Sequence, residues 1–225
     1  MDWNNDGKLD LLSGDSNGKV WIFINKGTRH EPILEKGVQV EAAGRPIVGD
    51  RKGLYRAKPS TSGWISGIYS KLHFADWDGD GLKDLLIGQD GPTSDLIVWY
   101  KNIGTKDAPK FEAPKPIVLP ASNVSMMRLS PYLIDWDKDG KVDLLCGMES
   151  SPRVLFFRNS GTADAPQLEA AKPIELKGSE SFEKGYRNRF DIVDWNNDGK
   201  FDLLVGNRSS EDRKSTGNVW LFLQE

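Results

Sequence analysis

Asp76, Asp78, Asp80 and Asp84 put four carboxylates into the nine residues DWDGDGLKD. Charges so close repel one another unless a cation compensates them. Alternation at loop positions 1, 3 and 5 lets short carboxylates converge from a tight turn. Gly81 at position 6 permits the reversal, the Leu82 carbonyl at position 7 can add an oxygen, and Asp84 at position 9 closes the set. An all-oxygen donor set suits calcium, whereas magnesium prefers fewer protein ligands and stricter octahedral geometry. The closing acid stands at position 9 and an apolar strand follows, so the loop shares only the first half of an EF-hand. Asp-Gly is also a hairpin-turn signal, and one copy alone would leave a bare turn as good a reading.

The stretch recurs. DWNNDGKLDLLSG starts at Asp2, DWDGDGLKDLLIG at Asp76, DWDKDGKVDLLCG at Asp135 and DWNNDGKFDLLVG at Asp194. The last three starts are 59 residues apart and the first interval is 74, a period that marks propellers or solenoids. Four copies in register favour calcium over the bare turn, with up to four ions. The first loop offers Asp2, Asn4, Asp6 and Asp10 with the carbonyl of Lys8. The third offers Asp135, Asp137, Asp139 and Asp143 with that of Lys141. The fourth offers Asp194, Asn196, Asp198 and Asp202 with that of Lys200. Asn4 and Asn196 keep an oxygen but remove a charge, so the first and fourth sites are expected to be the weaker ones.

Short strands must position these loops. In the third repeat YLIDW leads into the loop, KVDLLCG leaves it, RVLFFRN returns, and KPIEL follows the NSGTADAP turn. The apolar runs are short, rich in branched and aromatic residues, and bounded by Gly, Asp, Asn and Pro. Four antiparallel strands per repeat is the size of one propeller blade. The reading is therefore all-β: a β-propeller of four-stranded antiparallel blades, with repeats near 1–62, 63–121, 122–180 and 181–225 in one domain. The first repeat lacks its opening strand and the fourth lacks a counterpart of PKFEAPKPIVL, so the expectation is a piece of a longer protein or a truncated reading frame. Trp3, Trp77, Trp136 and Trp195 share one slot and are expected to pack between blades. Cys146 takes the slot of Ser13, Ile87 and Val205, as a buried strand thiol would.

The pattern D-x-[DN]-x-D-G-x-x-D-L-L-x-G, followed by an apolar strand and N-x-G-T, resembles the FG-GAP and VCBS repeats. Those repeats occur in integrin alpha-subunit propellers, fungal and bacterial lectins and several polysaccharide lyases. The resemblance implies calcium in each loop and a secreted, extracellular or cell-surface setting. Family propellers commonly have about seven blades, so further blades or self-association are implied partners. It says little about activity, because one fold hosts many functions.

In such a blade the acidic loops occupy one face, and the inter-repeat connections 42–71, 119–131 and 176–189 occupy the other. Six Lys or Arg and a single Asp lie in 42–71, and all three connections are net positive on a chain of net charge −3. Candidate ligand contacts are Arg45, Arg51, Tyr55, Arg56, Trp64, Tyr69 and His73, with Arg128, Arg187 and Arg189. Guanidinium groups pair with carboxylates or sulfates, and flat aromatics stack on sugar rings. The preferred partner is an acidic polysaccharide or another cell-surface ligand; an ordinary solvated loop, with Trp64 plugging the propeller end, is the competing account. An acidic chain without a reading motif argues against nucleic acid, and no apolar run is long enough to span a membrane.

A binding module without catalysis is the preferred reading. A uronate lyase would need a base (Tyr55, Tyr69 or His73) and a cation (Arg56 or Arg128), whose spacing carries no signature. The lyase and a protein adhesion module stay open as alternatives. His30, in the TRHEP turn, reads as solvated.

Overall fold

A computed structural model describes residues 1–48, 70–89, 97–120, 128–149, 151–176, 182, 185–211 and 214–224. The chain is all-β, built from several antiparallel sheets, and divides into two compact units, Met1–Val118 and Leu119–Glu225.

In the first unit β1 (Leu11–Gly14), β2 (Val20–Phe23) and β3 (Val38–Gln39) form a three-stranded sheet. The β1–β2 hairpin closes on Asp15, whose Oδ1 accepts the N–H groups of Asn17 at 2.8 Å and Lys19 at 2.9 Å. A small hairpin, β4 (Glu41–Ala42) and β5 (Arg45–Pro46), precedes the four-stranded sheet of the second repeat. That sheet runs in order β6 (Lys71–Ala75), β7 (Asp84–Gly88), β8 (Ile97–Tyr100) and β9 (Lys115–Pro116). Its core joins Leu85, Ile87, Val98 and Tyr100 to Val20 and Ile22 of the first repeat, with Phe111 between them.

The second unit repeats the plan. β10 (Ser130–Ile134), β11 (Asp143–Gly147), β12 (Val154–Phe157) and β13 (Lys172–Pro173) form a four-stranded sheet. β14 (Tyr186–Val193), β15 (Asp202–Glu211) and β16 (Lys214–Phe222) form a three-stranded one. Among the described residues strand number thus varies: the second and third repeats have the four strands read from sequence, and the first and fourth have three. Val20, Ile97 and Val154 share one slot and are fully buried, and their carbonyls accept the N–H groups of Val40, Ile117 and Ile174. Val219 in the same slot is 72% exposed.

β7 and β11 are buried at every position instead of alternating. Cys146 lies within β11 as a buried thiol, its pKa driven up by burial, which fits the strand-thiol reading. The shared tryptophans pack as expected where a following repeat lies in the same unit. Trp3 stacks on Phe74 at 4.9 Å, and Trp136 on Phe201 at 6.0 Å. Trp195, in the last repeat, is 57% exposed. Among the described residues no helix is long and apolar enough to cross a membrane.

Candidate functional site

Each acidic loop joins the first two strands of its sheet, or precedes β1 in the first repeat, and its own side chains fold it. The position-1 carboxylate accepts backbone N–H groups across the turn: Asp135 takes Asp139 at 3.0 Å and Gly140 at 2.9 Å. Asp194 takes Asp198 and Gly199 in the same way, and Asp2 takes Asp6 and Gly7. The position-5 carboxylate takes the N–H of position 7, from Lys8, Leu82, Lys141 or Lys200, at 2.9–3.0 Å. The position-6 glycines, Gly7, Gly81, Gly140 and Gly199, all have φ between 81° and 87°, where a side chain would be strained. Position 4 is left-handed as well: Asn5, Gly79, Lys138 and Asn197 have φ of 57–70°.

Position 9 does more than the sequence suggests. Asp10, Asp84, Asp143 and Asp202 are all buried. One oxygen of each accepts the N–H of the loop tryptophan, at 2.8–3.2 Å. The other accepts the N–H of Asn25, Asn102, Asn159 or Gln224, just past the third strand, at 2.7–3.0 Å. The ninth carboxylate therefore clamps the loop to the sheet and keeps one lone pair per oxygen for a metal. Burial pushes the Asp84 pKa up to about 6, and Asp143 is likewise raised. A cation beside them would reverse that cost.

The asparagines of N-x-G-T complete the clamp. Asn159 Oδ1 accepts from Gly161 and Gln167 at 3.0 Å each, and its Nδ2 donates to the Val142 carbonyl at 3.1 Å. Asn102 makes the matching set with Gly104, Lys110 and Lys83. The glycine is obligatory: a Cβ on Gly161 would lie 2.3 Å from the Ala165 carbonyl oxygen.

Carboxylate oxygens of Asp76, Asp78 and Asp84 lie within 4.8 Å of one another, as do those of Asp135, Asp137 and Asp143. In the second loop Asp76 Oδ1 and Asp78 Oδ1 are buried without a hydrogen-bond partner. Buried anionic oxygens left in this state are costly unless something positive reaches them. The donor set fits a hard, oxygen-seeking divalent cation such as calcium.

Two residues that the sequence reading passed over also touch these loops. Lys101, just past β8, contacts Asp78 Oδ2 and lies 2.7 Å from Asp80 Oδ2. Arg158, just past β12, reaches Asp137 and Asp139 at 2.6 Å each. Aligning the repeats by their third strands would have exposed both, since Ile24 and Leu223 hold that slot elsewhere. Lys8 and Lys141 also fold back on the position-5 acids, at 3.1 and 3.2 Å.

At the opposite end of the second unit's sheets, three of the candidate ligand residues converge. Arg128 precedes β10, Glu149 follows β11, and Arg187 and Arg189 begin β14. Glu149 faces Arg128 at 3.2 Å, Arg187 at 2.5 Å and Arg189 at 3.8 Å. Arg128 and Arg187 hold left-handed φ of 47° and 62°, uncommon for arginine. Glu149, the hub, lay outside the basic connections and was not read from sequence. Arg45 is exposed on β5, and His73 is half-buried on β6. Arg51, Tyr55, Arg56, Trp64 and Tyr69 lie outside the described residues. His30 is exposed.

A model of the FG-GAP-like repeat matches the chain twice, over residues 76–146 and 135–205. No curated protein matches it.

Proposed function

The chain belongs to the FG-GAP-like repeat family, and from that premise we propose that it is a calcium-stabilised β-propeller-type module that binds acidic glycans without catalysis. The observation that carries the metal half is the pair of buried, unpartnered oxygens on Asp76 and Asp78. Calcium, when bound, supplies the divalent charge that lets the loop carboxylates stay ionised side by side. Asp76, Asp78, Asp80 and Asp84 would hold it in the second loop, and the equivalent side chains in the other three. An extracellular or cell-surface setting, with calcium near millimolar, matches the affinity of about 10⁻⁴–10⁻³ M typical of extracellular oxygen-ligand sites.

The ligand half is supported by the cluster of Arg128, Arg187 and Arg189 around Glu149. Three guanidinium groups gathered on Glu149, the carboxylate they share among the described residues, form a polar fork suited to a uronate carboxylate or a sulfate ester.

Two measurements test the reading. Metal-stripped protein should melt at a higher temperature in millimolar calcium than in excess chelator, since each site contributes RT ln(1 + [L]/Kd). Identical melting curves would refute the metal half. A glycan array should show binding to uronate or sulfated chains. Binding to none of them would refute the ligand half, and the appearance of unsaturated-uronate absorbance would replace it with a lyase.

A further inference from the structure

The four loops are not chemically equal, and the difference is matched outside them. Position 3 is Asn4 and Asn196 in the first and fourth loops, but Asp78 and Asp137 in the second and third. The residue just past the third strand changes in step: Ile24 and Leu223 in the first and fourth repeats, Lys101 and Arg158 in the second and third.

The geometry explains the match. In every loop the outer oxygen of the position-5 carboxylate receives a donor. In the first and fourth loops the position-3 amide itself donates, from Asn4 to Asp6 at 3.3 Å and from Asn196 to Asp198 at 3.1 Å. A carboxylate at position 3 cannot donate, so the strand supplies the donor instead. Lys101 spans Asp78 and Asp80, and Arg158 spans Asp137 and Asp139. The bond from Lys101 holds the Asp80 carboxyl below its ordinary range, and the bond to Asp137 raises the Arg158 pKa. The extra carboxylate of the second and third loops is thus offset by one built-in positive charge, which reduces their advantage by carboxylate count.

We propose that Lys101 and Arg158 are built-in counter-cations that hold the second and third loops folded without a metal ion and lower their affinity for calcium. This rests on the calcium reading above. An ion held by the other oxygen of the position-3 carboxylate would share that carboxylate with the ammonium or guanidinium, which stays nearby as a like charge. A unit charge a few ångströms from a divalent ion changes a binding constant by about tenfold even at the dielectric of water.

A surface ion pair with a purely structural role would, on removal, weaken the apo fold and leave calcium affinity unchanged or lower. A counter-cation has the opposite signature on the second readout. In Lys101→Met and Arg158→Met the melting temperature in chelator should fall, while calcorimetric calcium affinity at one site should rise about tenfold. Asp78→Asn/Lys101→Ile rebuilds the pairing of the first and fourth loops, and should recover the chelator-state stability that Lys101→Met loses. The double variant also serves if the single one does not fold. Calcium binding by the wild type with unchanged or weakened affinity in both single variants overturns this proposal and leaves the calcium reading standing. So does failure of the double variant to recover stability. Absence of calcium binding by the wild type overturns both.

Discussion

Asn159 is fully buried, and its short amide satisfies three backbone groups at once: the N–H groups of Gly161 and Gln167 and the carbonyl of Val142. Asn159→Ala removes all three bonds and leaves their backbone partners unsatisfied in a site too tight for repacking. Each neutral bond is worth about 1 kcal/mol net, and an orphaned buried group costs about 1–3 kcal/mol. Some orphaned groups recover water as the NSGTADAP turn loosens, so the expected total is about 4 kcal/mol rather than the sum of the maxima. At about 2–4 °C per kcal/mol for a chain of this size, the melting temperature should drop by roughly 8–16 °C. The assay is a thermal melt by circular dichroism in excess chelator, so that metal binding does not enter. Ser160→Ala, one residue along, removes a single exposed bond to the Gln167 carbonyl and should shift the melt by less than about 2 °C. A similarly small shift for Asn159→Ala would refute the view that these asparagines clamp the loops.

Gly161→Ala should destabilise by a comparable route, because its Cβ would meet the Ala165 carbonyl oxygen at 2.3 Å; an unchanged melt would show that the turn relaxes freely. In the calcium-free protein the contribution of Asp84 to stability, read as the difference between wild type and Asp84→Asn, should fall as pH rises from about 4 to about 6. The folded Asp84 pKa lies above its unfolded value, so the folded state binds the proton more tightly, and that contribution is complete below the unfolded pKa and lost on passing the folded one. Saturating calcium should flatten that slope, and equal slopes in chelator and calcium would count against Asp84 facing the ion. Arg187→Ala and Arg189→Ala should each weaken binding to sulfated or uronate chains, with the loss shrinking as salt rises; affinity unchanged at low salt would remove the cluster from the site.

Much of the architecture could be read directly from the residues, because it depends on contacts close in sequence. The strands β10, β11 and β12 follow from apolar runs bounded by turn residues. The loop between β10 and β11 follows from a nine-residue pattern whose donors and acceptors are at most seven residues apart. The buried thiol of Cys146 and the packing of Trp3 and Trp136 followed from slots repeated along the chain.

Tertiary structure decided what depends on groups brought together from distant segments. Asp143 proved to be a clamp as well as a candidate ligand because β12 ends beside it, delivering the Asn159 N–H from sixteen residues away. The counter-charges proposed for the second and third loops exist because the same strand end delivers Arg158, and β8 delivers Lys101, to carboxylates about twenty residues earlier. Glu149 gained its role from arginines thirty-eight residues later and twenty-one earlier, which no local pattern relates to it. Val219 has the sequence of a buried strand residue and is exposed, although Val20, Ile97 and Val154 in the same slot are fully buried. Local sequence sets which conformations a segment can adopt; which charges neutralise one another depends on the ends of paired strands, and only the folded sheets bring those ends together.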